Sequence, residues 1–410
     1  MTSGTAAFAV PAATRAVDEA MSSSLPRAED RSVDRAADGW RARALEFMVV
    51  GGATLVLFPL SWLLRNAVGL DASEYAVGFA TFYGAYVIND PHFSVTYFLF
   101  YKDVRQRTLS TSYDLSYRIR YGFAAFAVPA ALVVWAMAAI ASRSAQALGW
   151  MVQLMFFLVG WHYVKQGFGV LAVLSARRGV YITARERTVI LLQCFAGWAY
   201  AWASPASPAG EFEEKGVVYR ALAHPRWLEI TTGWALAASS IALIAVLIAR
   251  WRRDERMLPF APLAGLLVTV WSWTIYSSAD RLIQYLIPAL HSIQYFYFVW
   301  LMKRNEARAE EGPPLFGRPT SVRLGFLALS ALGLGWLLFR GAPTFLDGLR
   351  APRTLRGSPT DALGPTPFFA AFFVIVNIHH YFMDYVIWRR DNPDTRYLRE
   401  SVPAAGRLMQ

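Results

Sequence analysis

The sequence predicts an all-α protein, a polytopic transmembrane helix bundle of about ten spans with both termini in the cytoplasm. Three observations lead there. The 410 residues are 55% apolar and only 17% charged, whereas a soluble domain is nearer a quarter charged, so the expected solvent is lipid. Apolar runs of about 20 residues, enough helix to cross the roughly 30 Å hydrocarbon core, alternate with short polar connectors. The basic side chains fall mainly in every second connector, as positive charge does on the cytoplasmic side of a membrane protein.

Residues 1–43 are polar and rich in Ala, Ser, Arg and Asp, and read as a disordered cytoplasmic tail. Their one apolar patch, Ala6 to Ala13, is too short for a signal peptide and has no basic residue before it. The membrane domain covers 44–390. Its spans are expected at about 45–64, 75–101, 122–142, 149–175, 188–203, 229–249, 260–279, 282–302, 322–340 and 366–388. The seventh and eighth are joined only around Asp280 and Arg281, a tight helical hairpin. Pro91 interrupts the second span and Pro288 the eighth, and a proline removes a backbone donor and kinks a helix. Residues 391–410 read as a second cytoplasmic tail.

Connector 102–121 carries Lys102, Arg105, Arg107, Arg118 and Arg120, and that near 176–187 carries Arg177, Arg178, Arg185 and Arg187. The connectors between hold fewer cations. The net charge of +11 therefore belongs to topology, and a nucleic-acid partner is not expected. A single cysteine, Cys194, rules out disulfide frameworks and thiolate metal sites within one chain. Four lysines against 36 arginines suggest a GC-rich bacterial genome, and so a bacterial inner membrane.

Six histidines are present. His224 falls in an extracytoplasmic loop. His92, His162, His291, His379 and His380 lie inside spans two, four, eight and ten, which all run in the same direction. His92 stands ten residues before Lys102, His162 fifteen before Arg177, His291 twelve before Lys303 and His379 ten before Arg389. At 1.5 Å per residue, each lies roughly 15–22 Å from the cytoplasmic end of its helix. Four imidazoles in one stratum can surround one metal ion. Polar groups in hydrocarbon are costly and point to function, although a lone intramembrane histidine is often only hydrogen-bonded between helices.

The polar neighbours fit a metal centre. His162 and Gln166 share a helix face, as do His380 and Asp384. Gln294 and Tyr295 follow His291 by three and four residues, and Asp90 precedes His92 across Pro91. Ligating histidines usually give their second nitrogen to a carboxylate, carbonyl or water. Asp90, Gln166 and Gln294 are the candidate supports of that kind, and Asp384, Lys165 and Tyr295 the candidate catalytic groups. Of the metal candidates His379 and His380, about 100° apart on a helix, one is expected to be a primary ligand.

Imidazole donors suit iron, copper, zinc or nickel. HExxH, Gly-rich phosphate loops and the GxSxG elbow are absent. An all-histidine site in an apolar, aromatic cavity favours Fe(II), with dioxygen as co-substrate and a hydrophobic small molecule from the lipid bilayer as substrate. The electron donor is left open. The placement of Pro91-His92, Trp161-His162, His291 and His379 or His380 on separate membrane helices resembles the bacterial Brp/Blh-type β-carotene 15,15′-dioxygenases. That resemblance implies a polytopic enzyme holding one iron through four intramembrane histidines and cleaving a carotenoid. The sequence departs from that family in Pro91-His92-Phe93, where a Pro-His-Gly-type segment is usual, in its later histidine spacing, and in having about ten spans. Two further classes use the same side chains: a proton- or ion-coupled transporter with His92, His162, Lys165, His291 and Asp384 as its relay, and a haem b cytochrome with paired axial histidines.

Overall fold

The computed structural model describes residues 39–204, 210–254, 256–278, 281–311, 315–350 and 363–399. The predicted tail before residue 39, with its apolar patch, and residues 400–410 lie outside them, as does Asp280 in the predicted hairpin connector. The chain divides into an N-terminal unit, residues 1–46, whose described part is helical, and a body of residues 47–410 that contains the helix bundle.

Among the described residues, the body's regular structure is helical apart from one small hairpin. Its helices are α1 (Ala53–Val68), α2 (Leu70–Gly84), α3 (Asn89–Tyr101), α4 (Val104–Leu109), α5 (Leu115–Gly122), α6 (Val128–Ala141), α7 (Ala145–Arg177) and α8 (Ala184–Ala203). The hairpin strands β1 (Gly210–Glu214) and β2 (Val217–Ala221) come next. Then come α9 (Arg226–Asp254), α10 (Phe260–Leu267), α11 (Arg281–Glu311), α12 (Thr320–Trp336), α13 (Ala342–Arg350), α14 (Pro367–Ile387) and the short α15 (Arg396–Arg399). Among the described residues, every segment read as a span is largely helical. Six helices, Gly39–Val68, Leu115–Ala141, Ala145–Arg177, Arg226–Arg253, Thr320–Leu349 and Pro367–Ile387, are long and apolar enough to cross a bilayer by themselves. The protein is an all-α integral membrane bundle.

The second predicted span is two helices. The backbone leaves the α-helical path at residues 85–88 and restarts at Asn89. Pro91 therefore sits in the first turn of α3, where a missing N–H costs nothing, instead of kinking a continuous helix. Pro288 lies within the unbroken α11, where Ser292 Oγ donates to its carbonyl at 2.7 Å.

The hairpin was not expected from the apolar pattern. Lys215 and Gly216 both have positive φ, 53° and 84°, and join two antiparallel strands as a two-residue turn. Gln146, at the start of α7, bonds both backbone groups of Arg220, at 2.9 and 3.0 Å. The predicted tail from residue 391 is also folded in part. Residues 393–395 form a 3-10 turn that leads into α15, with Leu398 only 2% exposed.

Four π-helical segments, Met48–Gly52, Phe123–Ala127, Val268–Ile275 and Leu337–Gly341, interrupt the apolar helices. Each wide turn leaves carbonyls off the regular ladder, and in lipid these need side-chain donors. Val50 O accepts from Gln294 Nε2 at 2.5 Å, Ala124 O from His379 Nε2 at 3.0 Å and Ala125 O from the Tyr101 hydroxyl at 2.7 Å. Gly51 takes φ 145° at the first bulge, and its Cα faces Gly265. A side chain at Gly51 would meet both a forbidden φ and that neighbour.

The helices α8 and α9 are fastened at their arginine-rich ends. Thr183 and Glu186 form a reciprocal capping box at the start of α8. Glu186 also takes Arg250 at 2.7 Å and Arg253 at 3.3 Å, and both members of the Glu186–Arg250 pair are buried. Truncating one partner of such a pair leaves a buried charge behind. Glu186→Ala is expected to cost about 3 kcal/mol, read as a lower thermal midpoint of the detergent-solubilised protein. An unchanged midpoint would contradict it.

Two large apolar clusters bracket the functional layer. One gathers Leu148, Met151 and Val152 of α7 with Ala371, Val374 and Ile378 of α14. The other gathers Leu99 and Phe100 of α3, Leu174 of α7, Met302 of α11 and Val386 of α14. Along α7 and α14 the histidines fall between them.

Candidate metal centre

Each of four helices delivers one imidazole to the same place: His92 from α3, His162 from α7, His291 from α11 and His380 from α14. None is more than 4% exposed. Their rings form a closed set. Centroids of His92 and His380 are 4.5 Å apart, His380 and His162 4.9 Å, His162 and His291 4.8 Å, and His291 and His92 5.0 Å. A metal-bound imidazole has its centroid about 3.2 Å from the ion, so neighbouring ligands sit about 4.5 Å apart in a square and about 5.2 Å in a tetrahedron. The observed separations fall within that interval. The Nε2 atoms of His162 and His291 are 3.1 Å apart.

Asp384 joins the group one turn after His380. Its Oδ2 lies 3.4 Å from His380 Nε2 and 3.8 Å from His162 Nε2. Two triads share His380: donor atoms of His92, His291 and His380, and of His162, His380 and Asp384, each lie within 4.8 Å of one another.

Hydrogen bonding separates a ligand cluster from an ordinary buried polar patch. Both nitrogens of His92, both of His380, Nδ1 of His291 and Oδ2 of Asp384 are buried without a hydrogen-bond partner. Each such atom costs about 1–3 kcal/mol, and native interiors contain few of them. Such atoms occur elsewhere as well, both side-chain atoms of Gln193 among them, but six of them gather where the four imidazoles converge, and there a cation can take lone pairs. The donor set fits a first-row transition metal.

The surrounding shell is aromatic and ordered. Phe93 packs on the His380 ring at 4.8 Å, Tyr163 on His291 at 4.7 Å and Tyr381 on His162 at 4.7 Å. Each of these residues directly follows a histidine of a different helix, so every pair of neighbours braces the ring beside it. Sequence reading missed these three. Their signal was present as the dipeptides His92-Phe93, His162-Tyr163 and His380-Tyr381. Tyr295 stands 4.4 Å from the His92 ring, donates to Asp384 Oδ1 at 3.3 Å and has Thr96 Oγ1 at 2.7 Å.

Gln166 and Gln294 act on the frame. Gln166 Nε2 donates to Gln294 Oε1 at 2.7 Å and to the His291 carbonyl at 3.3 Å, while Gln294 reaches Val50 O at the Gly51 bulge. The α7–α11 pair is thereby tied beside two of the imidazoles.

Three sequence candidates stand elsewhere. His379 turns away from the cluster: its Nε2 donates to Ala124 O, and its Nδ1 accepts from the Tyr97 hydroxyl at 3.0 Å. One nitrogen satisfies a π-bulge carbonyl and the other a tyrosine hydroxyl, so His379 stands outside both triads. Asp90 begins α3 with its backbone packed against Gly335 and with Arg340 and Lys215 as its charged neighbours, outside both triads. Lys165 takes no part in either triad. Neither belongs to the centre.

Searches with the chain against protein-family models, curated proteins and solved structures found no match.

Proposed function

We propose that the protein is a metal-dependent integral membrane enzyme, a non-haem iron oxygenase acting on a lipid-soluble substrate. The observation that carries this reading is the closed set of four buried imidazoles, 4.5–5.0 Å apart ring to ring, in which the donor atoms of two triads sharing His380 lie within 4.8 Å of one another. His92, His162, His291 and His380 would hold the ion. Asp384, held by Tyr295, stands beside them as a further ligand or as a proton acceptor for substrate. A bound iron(II) supplies one-electron chemistry and open positions for dioxygen. Phe93, Tyr163 and Tyr381 pack aromatic rings on the imidazoles and give the centre an apolar surrounding. The resemblance in histidine placement to the Brp/Blh-type dioxygenases makes carotenoids the first substrates to test. The proposal includes about ten spans, cytoplasmic termini and a bacterial inner membrane, on the arginine pattern.

The ring spacing favours one ion over haem. Axial histidines stand on opposite faces of a macrocycle, whereas these four rings pack edge to face at 4.5–5.0 Å with no slab between them. Metal analysis and an absorption spectrum of the detergent-purified protein test the reading. About one transition metal per chain without a Soret band is expected. A reproducibly metal-free protein after reconstitution with Fe(II) would move these residues to a transport pathway.

A further inference from the structure

Beyond the ligands themselves, one segment touches the same end of all four histidine-bearing helices. After α14 the chain turns back at once: Asn392 Nδ2 donates to Ile387 O at 2.7 Å, and the Thr395 hydroxyl to Asn392 O at 2.8 Å. From Asn392 to Leu398 the chain is then bonded to each of the other three helices or to the turn that continues it. Arg107, in α4 directly after α3, is 2% exposed and donates to Asn392 Oδ1 at 3.0 Å and Asp394 Oδ2 at 2.7 Å. Arg177, the last residue of α7, donates to Leu398 O at 2.8 Å. Asn305 of α11 donates to Tyr397 O at 2.8 Å. The Leu398 side chain is buried in the same apolar cluster as Leu99, Leu174, Met302 and Val386, one residue from each of the four helices.

We propose that residues 388–399 form a clasp that positions the metal centre by fixing the mutual register of α3, α7, α11 and α14. This rests on the metal-centre reading. A helix is a stiff rod, so a slip of one residue at its end moves a distant imidazole about 1.5 Å along the axis and rotates it by about 100°. Metal–ligand distances tolerate only about 0.2 Å. The four helices come from distant parts of the sequence, and the apolar clusters alone, being non-directional, permit small slides. Hydrogen bonds from Arg107, Arg177 and Asn305 to fixed acceptors do not. Lys102, at the end of α3, adds a direct tie to Glu306 of α11 at 3.0 Å.

The test uses the full-length protein carrying Asn392→Ala with Asp394→Ala, and separately Arg177→Ala with Asn305→Ala. Affinity for Fe(II) and Co(II) is measured by chelator competition, the d–d spectrum of bound Co(II) reports ligand geometry, and the thermal midpoint is taken on metal-free protein. Both double variants are expected to bind at least about tenfold more weakly with a shifted Co(II) spectrum; the Asn392/Asp394 variant, which takes two acceptors from buried Arg107, is also expected to lower the metal-free midpoint. Asp394→Asn, which keeps an acceptor for Arg107, should stay close to wild type. Wild-type affinity and spectrum in variants with a lowered midpoint would overturn the proposal and leave the clasp a purely structural element. If the Asn392/Asp394 variant does not fold, the Arg177/Asn305 variant decides by the same outcomes. A wild-type protein that binds neither ion overturns the metal reading as well, which separates the two failures.

Discussion

Replacing His380 with alanine is expected to remove the metal altogether, whereas replacing its neighbour His379 is expected to leave the metal in place. His380 belongs to both triads and neither of its nitrogens has another partner. His379 spends both nitrogens on Tyr97 and the Ala124 carbonyl. His379→Ala would leave a carbonyl and a phenol buried without partners, at a cost of about 1–3 kcal/mol. The two adjacent substitutions should thus separate completely: His380→Ala with metal content near zero and modest loss of fold stability, His379→Ala with full metal content and a lower thermal midpoint. Metal analysis and a melting curve on each variant check this. Metal retained in His380→Ala would refute the assignment of the centre.

The second large effect is a reversal of sign. His92 is 1% exposed and both its nitrogens lack partners. In metal-free protein that is an uncompensated buried polar group, and His92→Leu removes it at similar volume. The metal-stripped His92→Leu protein should therefore be more stable than metal-stripped wild type, by about 1–3 kcal/mol. With Fe(II) added the order should invert, because only the wild type gains binding free energy in the folded state. Four melting curves, two proteins with and without Fe(II), settle it. A variant less stable than wild type in both conditions would mean that His92 makes a contact of its own in the fold.

Much of the architecture was legible because lipid imposes a simple rule. Apolar length marks spans, and among the described residues every segment so marked is largely helical. The grouping of histidines was legible for a related reason: helical rise converts distance in sequence into position along a helix, and His92, His162 and His291 do come together. Azimuth was not legible. Depth says nothing of which way a side chain points, so His379 and His380 were indistinguishable, and Asp90 and Lys165 seemed as close to the centre as Gln166 and Gln294. Only the three-dimensional packing resolves those cases, with α3 against Gly335 at Asp90 and with neither Asp90 nor Lys165 in the triads. Pro91 pointed to a break, but the break lies three to six residues before it, at 85–88, and Pro91 itself sits in the first turn of the next helix. The β1–β2 hairpin and the clasp escaped for a different reason. Both are polar connectors whose structure comes from particular hydrogen bonds, such as Gln146 to Arg220 and Arg107 to Asn392, and no periodicity announces them.

The arrangement of ligands along the chain also dictates an order of assembly. His380 is the last of the four to leave the ribosome, and the residues that fasten the helix ends emerge after it. While α3, α7 and α11 enter the bilayer, their imidazoles have no complete set to join. A nascent chain that has not yet made α14 therefore carries costly polar groups in lipid with nothing to neutralise them. On the metal-centre reading, an ion that needs His380 would be captured only by a chain whose synthesis has passed α14.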